Sequence, residues 1–261
     1  MSIKNRQGEL WGTAPEDWAL HLEITFIPVY KKVINKAGLA ANDDVLDIGC
    51  GSGLFIKMLD VTNSSVTGID VSEELLNVAR QRNPGATLVN QDMNELPFAD
   101  NSFNLVTGFN SIQYAEDLPK TLSEIKRVLK DDGKLVISTW GSANECEALK
   151  VLASIATLLP EPVAGSPGPL ALSAAGKVEV LLAEAGFKII ENNTIECPWN
   201  FSSLDDAIKG ILAAGPSAEA ISYAGKEKVK EKLISSLEPF NVYDEIYFLE
   251  NVYHYYIAAK A

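Results

Sequence analysis

The stretch Val45–Gly53, which reads VLDIGCGSG, decides the fold of this chain of 261 residues. Its apolar start predicts a short buried strand, and the glycines at 49, 51 and 53 predict a tight turn into a helix. Glycine lets the backbone turn sharply and lets a ligand approach with no side chain in the way. Several nucleotide-binding folds use such a turn, so alone it predicts a ligand at this strand–helix junction without identifying it.

Two details of the glycine turn exclude other nucleotide-binding classes. A dinucleotide fingerprint of the form G-x-G-x-x-G would have its third glycine at position 54, which is Leu54. A Walker loop would continue as Gly-Lys-Ser or Gly-Lys-Thr, and no such tripeptide follows. The turn is instead G-x-G-x-G, and it is preceded by Asp47 in the predicted strand.

Strand-like and helix-like stretches alternate around the glycine turn, which predicts a mostly parallel sheet with helices on both faces. The predicted strands are 44–49, 65–70, 86–92, 103–110, 134–140, 187–199 and 245–261. The predicted helices are 15–39 (interrupted by Pro28), 52–60, 72–83 (N-capped by Ser72), 118–130 (stopped by Gly133), 144–159, 176–187 and two within 204–237 around the segment GPSA.

We expect one domain over residues 1–261. Its core would be 41–140, with an N-terminal cap at 1–40 and inserted caps at 141–175 and 200–240. Inserted helices, and a loop rich in Pro and Gly at 160–172, commonly form a lid over a second substrate beside a sheet of this kind. The alternative is that these segments only cover the sheet.

Composition narrows the partners and the environment. The formal net charge of -13 disfavours nucleic acid as a partner, because an acidic surface repels phosphate backbones. The spacing of Cys50, Cys146 and Cys197 fits no zinc site, redox motif or disulfide framework, so no metal is predicted. The N-terminus has no apolar signal segment, and no apolar run is long enough to span a bilayer, so we expect a cytoplasmic protein without a membrane partner.

Acids follow the second and third predicted strands. Asp70 ends an apolar strand, where a carboxylate can accept hydrogen bonds from both hydroxyls of a ribose; the alternative is a helix N-terminal acid beside Ser72. Asp92 could accept a hydrogen bond from an adenine amino group while Met93 supplies apolar contact. Asp92 alone would more often be a turn residue, but its position after the glycine turn and Asp70 favours the adenine role.

The motifs, in this order, resemble class I S-adenosylmethionine (SAM)-dependent methyltransferases, in the small-molecule branch of ubiquinone/menaquinone-type enzymes. The resemblance runs through VLDIGCGSG, GIDVS, QDMNELPFADNSFNLV and EIKRVLKDDGKLVIS, within residues 44–140. It implies a Rossmann-like, seven-stranded, mostly parallel sheet, SAM as the cofactor, and transfer of a methyl group to an O, N or C atom of a small molecule by in-line displacement. One departure is Phe103-Asn104, where the family often has Phe-Asp.

The resemblance also implies roles for the matching residues. Asp47, Gly49, Gly51 and Gly53 would hold the methionine part of SAM, Asp70 the ribose, Val71, Asp92 and Met93 the adenine, and Asn110 the amino-acid end through its backbone. Aromatic and polar residues in the N-terminal cap or at strand ends are candidates to bind the acceptor, with core packing as the alternative: Trp11, Trp18, Gln113, Tyr114 and Trp140. Of the two histidines, His21 is the better candidate for a general base, although packing or surface placement is favoured over catalysis for each.

Two other functions stay open at this point. A SAM-binding enzyme of the same fold could perform chemistry other than methylation, because fold does not fix function. A non-catalytic SAM-binding protein is the third hypothesis. It predicts a degraded glycine turn or the loss of Asp70, and neither is seen.

Overall fold

The computed structural model describes residues 3–62, 64–160 and 168–261. Its strands are β1 Asp44–Ile48, β2 Ser65–Asp70, β3 Thr87–Asn90, β4 Phe103–Phe109, β5 Leu129–Trp140, β6 Phe187–Glu196, β7 Trp199–Phe201, β8 Asn241–Tyr243, β9 Ile246–Leu249 and β10 Val252–Lys260. Seven of them form one sheet in the order β3-β2-β1-β4-β5-β10-β6. The strands β1 to β5 pair in parallel, and β10 is antiparallel to both of its neighbours. The predicted seven-stranded, mostly parallel sheet is confirmed.

The helices are α1 Ile3–Trp11, α2 Pro15–Asp17, α3 Ile27–Ala37, α4 Leu54–Met58, α5 Glu73–Arg82, α6 Leu118–Val128, α7 Glu147–Ala156, α8 Lys177–Glu184, α9 Leu204–Leu212, α10 Gly215–Ala224 and α11 Lys226–Leu237. A π-helical turn (Trp18–Leu22) and a 3-10 turn (Glu23–Phe26) lie between α2 and α3. Within the described part of the chain, no helix combines the length and apolarity needed to cross a membrane.

Both faces of the large sheet are covered, and β1 shows why. Its side chains alternate between two apolar clusters: Val45 belongs to one, and Leu46 and Ile48 belong to the other. All three are fully buried. A strand with apolar residues on both faces needs helices on both sides, so the near-continuous apolar run of β1 already encodes a central position.

The start of α5 confirms the predicted N-cap. The Ser72 hydroxyl accepts a hydrogen bond from the Leu75 amide at 3.2 Å, which satisfies one of the donors left free in the first helical turn. Only one residue separates Ser72 from Asp70, the last residue of β2. This cap therefore fixes the start of the helix beside Asp70.

Several predicted element boundaries are wrong, for identifiable reasons. The predicted helix 15–39 is α2, two irregular turns and α3; Pro28 lies in the first turn of α3, where a missing amide hydrogen costs nothing. Likewise Pro216 opens α10, so GPSA begins a helix and residues 204–237 form three helices instead of two. Gly133 does not stop a helix, since it lies within β5.

The segments outside the core also contain unpredicted structure. Strands β7, β9 and β8 form a second, three-stranded sheet, so the predicted closing strand 245–261 is divided into β9 and β10. The helix α1 was not predicted, and it packs against α10, where Arg6 forms an ion pair with Glu219. Most of the loop predicted at 160–172 lies outside the described residues.

Candidate active site

A cavity lies at the carboxyl-terminal edge of the large sheet, between that edge and the N-terminal segment (residues 6–40). The sheet edge and its loops contribute Gly49, Cys50, Gly51, Asp70, Val71, Gln91, Asp92, Met93, Asn110 and Ser111. The N-terminal segment contributes Gln7, Trp11, Trp18, Leu22, Glu23, Phe26 and Tyr30, and later parts of the chain contribute Trp140, Leu152, Trp199, Ala214 and Pro216. The Trp, Phe and Tyr side chains of this lining form an aromatic compartment. The cavity therefore joins the predicted cofactor residues to that compartment.

The glycine turn adopts a conformation that other residues rarely take. Gly49 and Gly51 have φ angles of +69° and +54°. The amides of Gly49 and Cys50 both donate to the Ile69 carbonyl, at 2.8 and 2.9 Å, which ties the turn to the end of β2. A Cβ on Gly49 would lie 2.4 Å from the Ser111 Cβ, whereas the corresponding position on Gly51 has only ordinary contacts. Gly49 thus packs against Ser111, whereas the side of Gly51 that lacks a side chain faces Trp18 and Glu23, two residues of the cavity lining.

Asp70 connects the glycine turn to α5. One carboxylate oxygen accepts from the Gly51 amide and the other from the Ser72 amide, each at 2.9 Å. Its side chain is nearly buried yet lines the cavity, and burial raises the pKa of the carboxyl. The position predicted for a ribose-binding acid therefore holds a carboxylate that the backbone fixes in place.

The loops after β3 and β4 line the same cavity. The Asp92 Oδ1 accepts from the Asn94 amide at 2.9 Å and from its side chain at 2.8 Å, while Met93 lies in the apolar wall. Asn110 has a φ of +48°, its amide donates to the Ser138 carbonyl at 3.0 Å, and its side-chain amide has no hydrogen-bond partner among the described residues. Asp92, Met93 and Asn110 are thus brought together with Asp70.

Two residues predicted to hold the cofactor lie beneath the glycine turn instead of in the cavity wall. Asp47 is 2% exposed and its Oδ1 accepts from the Thr107 hydroxyl at 2.7 Å. Burial raises the pKa of Asp47 to about 7. Gly53 faces α5, and its carbonyl accepts from the Asn83 side chain at 2.9 Å. Both residues support the turn from behind, so the geometry gives them no direct place beside a ligand.

Of the five residues predicted to bind the acceptor, four line the cavity and one does not. Trp11, Trp18, Tyr114 and Trp140 line the cavity. Trp11 makes edge-to-face contacts with Trp18, with ring centroids 5.0 Å apart, and with Tyr114, with ring centroids 5.6 Å apart. Gln113 is 1% exposed and lines a separate surface pocket beside α6, so the structure does not bring it to the cavity.

Neither histidine is among the described lining residues. The His21 Nδ1 lies 3.4 Å from Asp206 Oδ1, and a Cβ on Gly210 would lie 3.0 Å from the His21 Cβ. His21 therefore joins the N-terminal segment to α9. His254 Nε2 lies 3.6 Å from Glu145 Oε2. The predicted general base at His21 is therefore in contact with α9 and is not part of the described cavity lining.

Glu23 is a charged lining residue that the sequence analysis missed. It is 2% exposed and accepts hydrogen bonds from the Ser52 hydroxyl and from Arg82 Nη1, the latter at 2.5 Å. Burial raises the pKa of Glu23, and the charge of Arg82 opposes that shift. A lone acid inside the apolar run of LEITFIP was the available signal, because buried carboxylates are rare unless they are paired.

The charged side chains of the described cavity lining are of one sign, because all of them are acidic. Its described lining contains four acids and no Lys, Arg or His: Glu23, Asp70, Asp92 and Glu116. The aromatic rings add electron-rich faces, which attract cations. SAM fits this set of acceptors, because its ribose hydroxyls, adenine amino group and ammonium group are hydrogen-bond donors and its sulfonium is a cation. The Trp18 indole nitrogen, which has no hydrogen-bond partner among the described residues, provides a free donor beside Gly51 for such a ligand.

Comparison with known proteins finds a family match in the core of the chain. Residues 46–137 match the family model described as methyltransferase domain. This segment contains the glycine turn, Asp70 and Asp92. Together with the sheet order, this match makes the chain similar to class I SAM-dependent methyltransferases, and the likeness supports SAM as the cofactor.

Individual relatives resemble parts of the chain. A malonyl-[acyl-carrier protein] O-methyltransferase of Buchnera aphidicola is 35% identical over 107 residues, which cover 41% of this chain and 43% of that protein. A demethylmenaquinone methyltransferase of Renibacterium salmoninarum is 33% identical over 108 residues, covering 41% and 46%. The chain thus spans less than half the length of either relative.

Among solved structures, one from Bacillus halodurans, assigned as a methyltransferase, superposes with a TM-score of 0.61. It is 20% identical and covers 88% of this chain and 98% of that one, so it supports the fold alone.

Proposed function

We propose that the protein transfers a methyl group from SAM to an O, N or C atom of a small molecule by in-line displacement. The observation that carries this proposal is a single cavity in which Gly51, Asp70 and Asp92 face an aromatic compartment formed largely by the N-terminal segment. A cofactor held by the sheet edge would direct its reactive end toward that compartment, as in other open α/β sheets.

The residues of the chain act mainly by binding and orientation. Asp70 would hold the ribose, Val71, Asp92 and Met93 would hold the adenine, and the side of Gly51 that lacks a side chain would admit the amino-acid end. When bound, SAM supplies a methyl group that its sulfonium already activates. Orienting two reactants can provide roughly 7–11 kcal/mol, so the mechanism asks little of acid–base groups. This agrees with a described lining that contains no histidine.

The aromatic compartment favours an acceptor without negative charge. The rings of Phe26, Tyr30 and Phe109 form one contiguous wall, in which Tyr30 lies 6.1 Å from Phe26 and 4.8 Å from Phe109 between ring centroids. A carboxylate or phosphate entering this compartment would lose its hydration and meet no cation among the described lining residues. We therefore propose a neutral or cationic acceptor with an apolar body.

The segments outside the core would act as the lid. Trp11 and Trp18 cover the cavity from the N-terminal side, and Ala214 and Pro216 cover it from the start of α10. Closing a site in this manner excludes water, which strengthens the electrostatic interactions inside it. The lid role remains our proposal, and simple cover of the sheet is the alternative.

Calorimetric titration with SAM and S-adenosylhomocysteine tests the cofactor site. Asp70→Ala should lower the affinity for both ligands by about tenfold or more, because it removes the proposed ribose acceptor and two backbone hydrogen bonds. Asp132→Ala, at an exposed position on β5, is the matched control and should bind like wild type. Equal binding by Asp70→Ala and wild type would refute the site assignment, and no binding by wild type would refute the function.

The charge preference of the acceptor site is tested by turnover. Release of S-adenosylhomocysteine would be measured with a matched set of a phenol, an aniline and a benzoate that carry the same alkyl substituent. The neutral members should react faster than the anionic benzoate, since only the benzoate must bring a carboxylate into the acidic cavity. A benzoate that reacts fastest would contradict the proposed acceptor class.

A further inference from the structure

Two side chains of the N-terminal segment converge on the side of Gly51 that lacks a side chain. A Cβ placed on Gly51 would lie 3.4 Å from Trp18 Nε1 and 3.5 Å from Glu23 Oε1. One of these atoms is a hydrogen-bond donor and the other is an acceptor. They therefore border the same small space beside the glycine turn, although both come from a part of the chain outside the sheet.

The polar atoms that face this space have unused hydrogen-bonding capacity. The Trp18 indole nitrogen is buried and has no partner within the described structure. The Glu23 Oε2 accepts from Ser52 and Arg82, whereas the only hydrogen bond to Oε1 from the described residues comes from the Leu54 amide, at a long 3.4 Å. A buried donor without a partner costs free energy, and a buried carboxylate oxygen retains lone pairs for a cationic donor.

We propose that Glu23 and Trp18 bind the amino-acid end of SAM, with Glu23 Oε1 accepting from its ammonium group and Trp18 Nε1 donating to its carboxylate. This inference rests on the proposed function. A zwitterion presents a positive donor and a negative acceptor on one carbon atom, which matches the acceptor–donor pair beside Gly51. The pair would also couple cofactor binding to the position of the N-terminal segment, because both side chains belong to it.

The charge balance favours this assignment over simple packing. Arg82 neutralises Glu23 from the side of Ser52 and is not among the described lining residues, so the lining itself has acids but no cation. An ammonium group at Oε1 would supply the missing positive charge within the cavity. If Glu23 served only to fasten the N-terminal segment, its bonds to Ser52 and Arg82 would suffice, and the free donor of Trp18 would have no use.

Fragments of the cofactor separate these possibilities. Calorimetry would use three ligands: S-adenosylhomocysteine, its decarboxylated form, which keeps the ammonium group, and 5′-methylthioadenosine, which lacks the whole amino-acid end. Glu23→Gln should weaken the first two about tenfold or more and leave the third within about twofold, because only the first two carry the ammonium. Trp18→Phe should weaken S-adenosylhomocysteine alone, by about fivefold, since it removes a donor to a carboxylate.

Glu16→Gln, an exposed acid on α2, is the control and should match wild type with all three ligands. An equal loss with all three ligands in Glu23→Gln or Trp18→Phe would overturn the assignment of that residue, because the loss would then report damage to the N-terminal segment. Unchanged binding of S-adenosylhomocysteine would overturn it as well. Failure of wild type to bind S-adenosylhomocysteine would instead refute the proposed function.

Discussion

At the scale of single residues, Gly49 and Gly51 serve different purposes although both have positive φ angles. Gly49→Ala should lower the free energy of unfolding by roughly 2–4 kcal/mol, because its Cβ would overlap Ser111 and the backbone conformation disfavours a side chain. Gly51→Ala should lower it by only about 1–2 kcal/mol, since its Cβ has ordinary contacts, yet weaken SAM binding about tenfold. Denaturant unfolding and calorimetry measure the two effects. The reverse pattern would show that Gly51 packs and Gly49 faces the ligand.

The buried carboxyl of Asp47 predicts how the free energy of unfolding depends on pH. Burial is the main reason that its pKa rises from 3.8 to about 7; nearby Glu23 and Asp70 raise it further, and the Thr107 hydrogen bond lowers it. A carboxyl whose pKa is raised on folding stabilises the native state at low pH, and that contribution is lost as the pH rises through about 7. Wild type should therefore lose stability between about pH 4 and about pH 7.

Asp47→Asn removes this titration and can still accept the Thr107 hydrogen bond. Its free energy of unfolding should fall less steeply than that of wild type over the same range, by the order of a few kcal/mol. Denaturant unfolding at several pH values measures both slopes. Identical slopes in variant and wild type would show that Asp47 remains ionised in the folded protein.

At the scale of elements, Arg127 joins α6 to the loop that follows β3. Its guanidinium donates to the carbonyls of Leu96 and Phe98 at 2.9 and 2.7 Å, and to both oxygens of Glu124 at 2.8 Å. The hydrogen bond from Arg127 is the main reason that the pKa of Glu124 falls to about 2, so the stability from Glu124 is lost as the pH falls through about 2. The loop begins at Gln91 and includes Asp92 and Met93, so its position sets that wall of the cavity.

Arg127→Lys should loosen this loop, because a lysine cannot reproduce the planar fork of donors. We expect a loss of about 1–3 kcal/mol in the free energy of unfolding, and faster hydrogen exchange in residues 94–101. Lys120→Arg, an exposed change on the same helix, is the control. Protection of residues 94–101 equal to that of wild type would show that the loop is held by other contacts.

The elements that sequence patterns predicted well are those whose signal is local. β1, β2 and β4 are short segments rich in apolar and β-branched residues, and α5 has a capping serine, so their bounds matched within a few residues. The predictions at Pro28 and Pro216 were wrong because proline is compatible with the first turn of a helix as well as with a break in one. Whether a proline opens or ends a helix depends on what packs before it, and that information is tertiary.

At the scale of the whole molecule, the two halves of the site differ in predictability. Asp70, Asp92 and Asn110 each follow a strand of one parallel sheet, so the topology alone brings them to one edge. Glu23 and Trp199 reach the cavity only through the packing of distant segments, and no spacing along the chain encodes that meeting. His21 is the opposite case. Its place in the N-terminal segment predicted that it would line the cavity, but its side chain contacts α9.

The position of β10 in the large sheet predicts that the stability of the whole fold depends on this strand. β10 pairs with both β5 and β6, so it lies inside the sheet although it closes the chain. Tyr253, Tyr255 and Ala258 are fully buried in it. Burial of one large side chain contributes roughly 1.5–3 kcal/mol, and whole domains are stable by only about 5–15 kcal/mol.

A chain truncated after Asn251 should therefore lose cooperative unfolding, because β5 and β6 would present unpaired edges and the buried tyrosines would be gone. Removal of Ala261 alone deletes one hydrogen bond, from its amide to the Gly186 carbonyl at 3.0 Å, and should leave the melting curve nearly unchanged. Near-ultraviolet circular dichroism with thermal melting distinguishes the two chains. A sharp melt in the chain truncated after Asn251 would show that the five parallel strands and their helices fold without β10, and that the closing strand is an addition to an independent core.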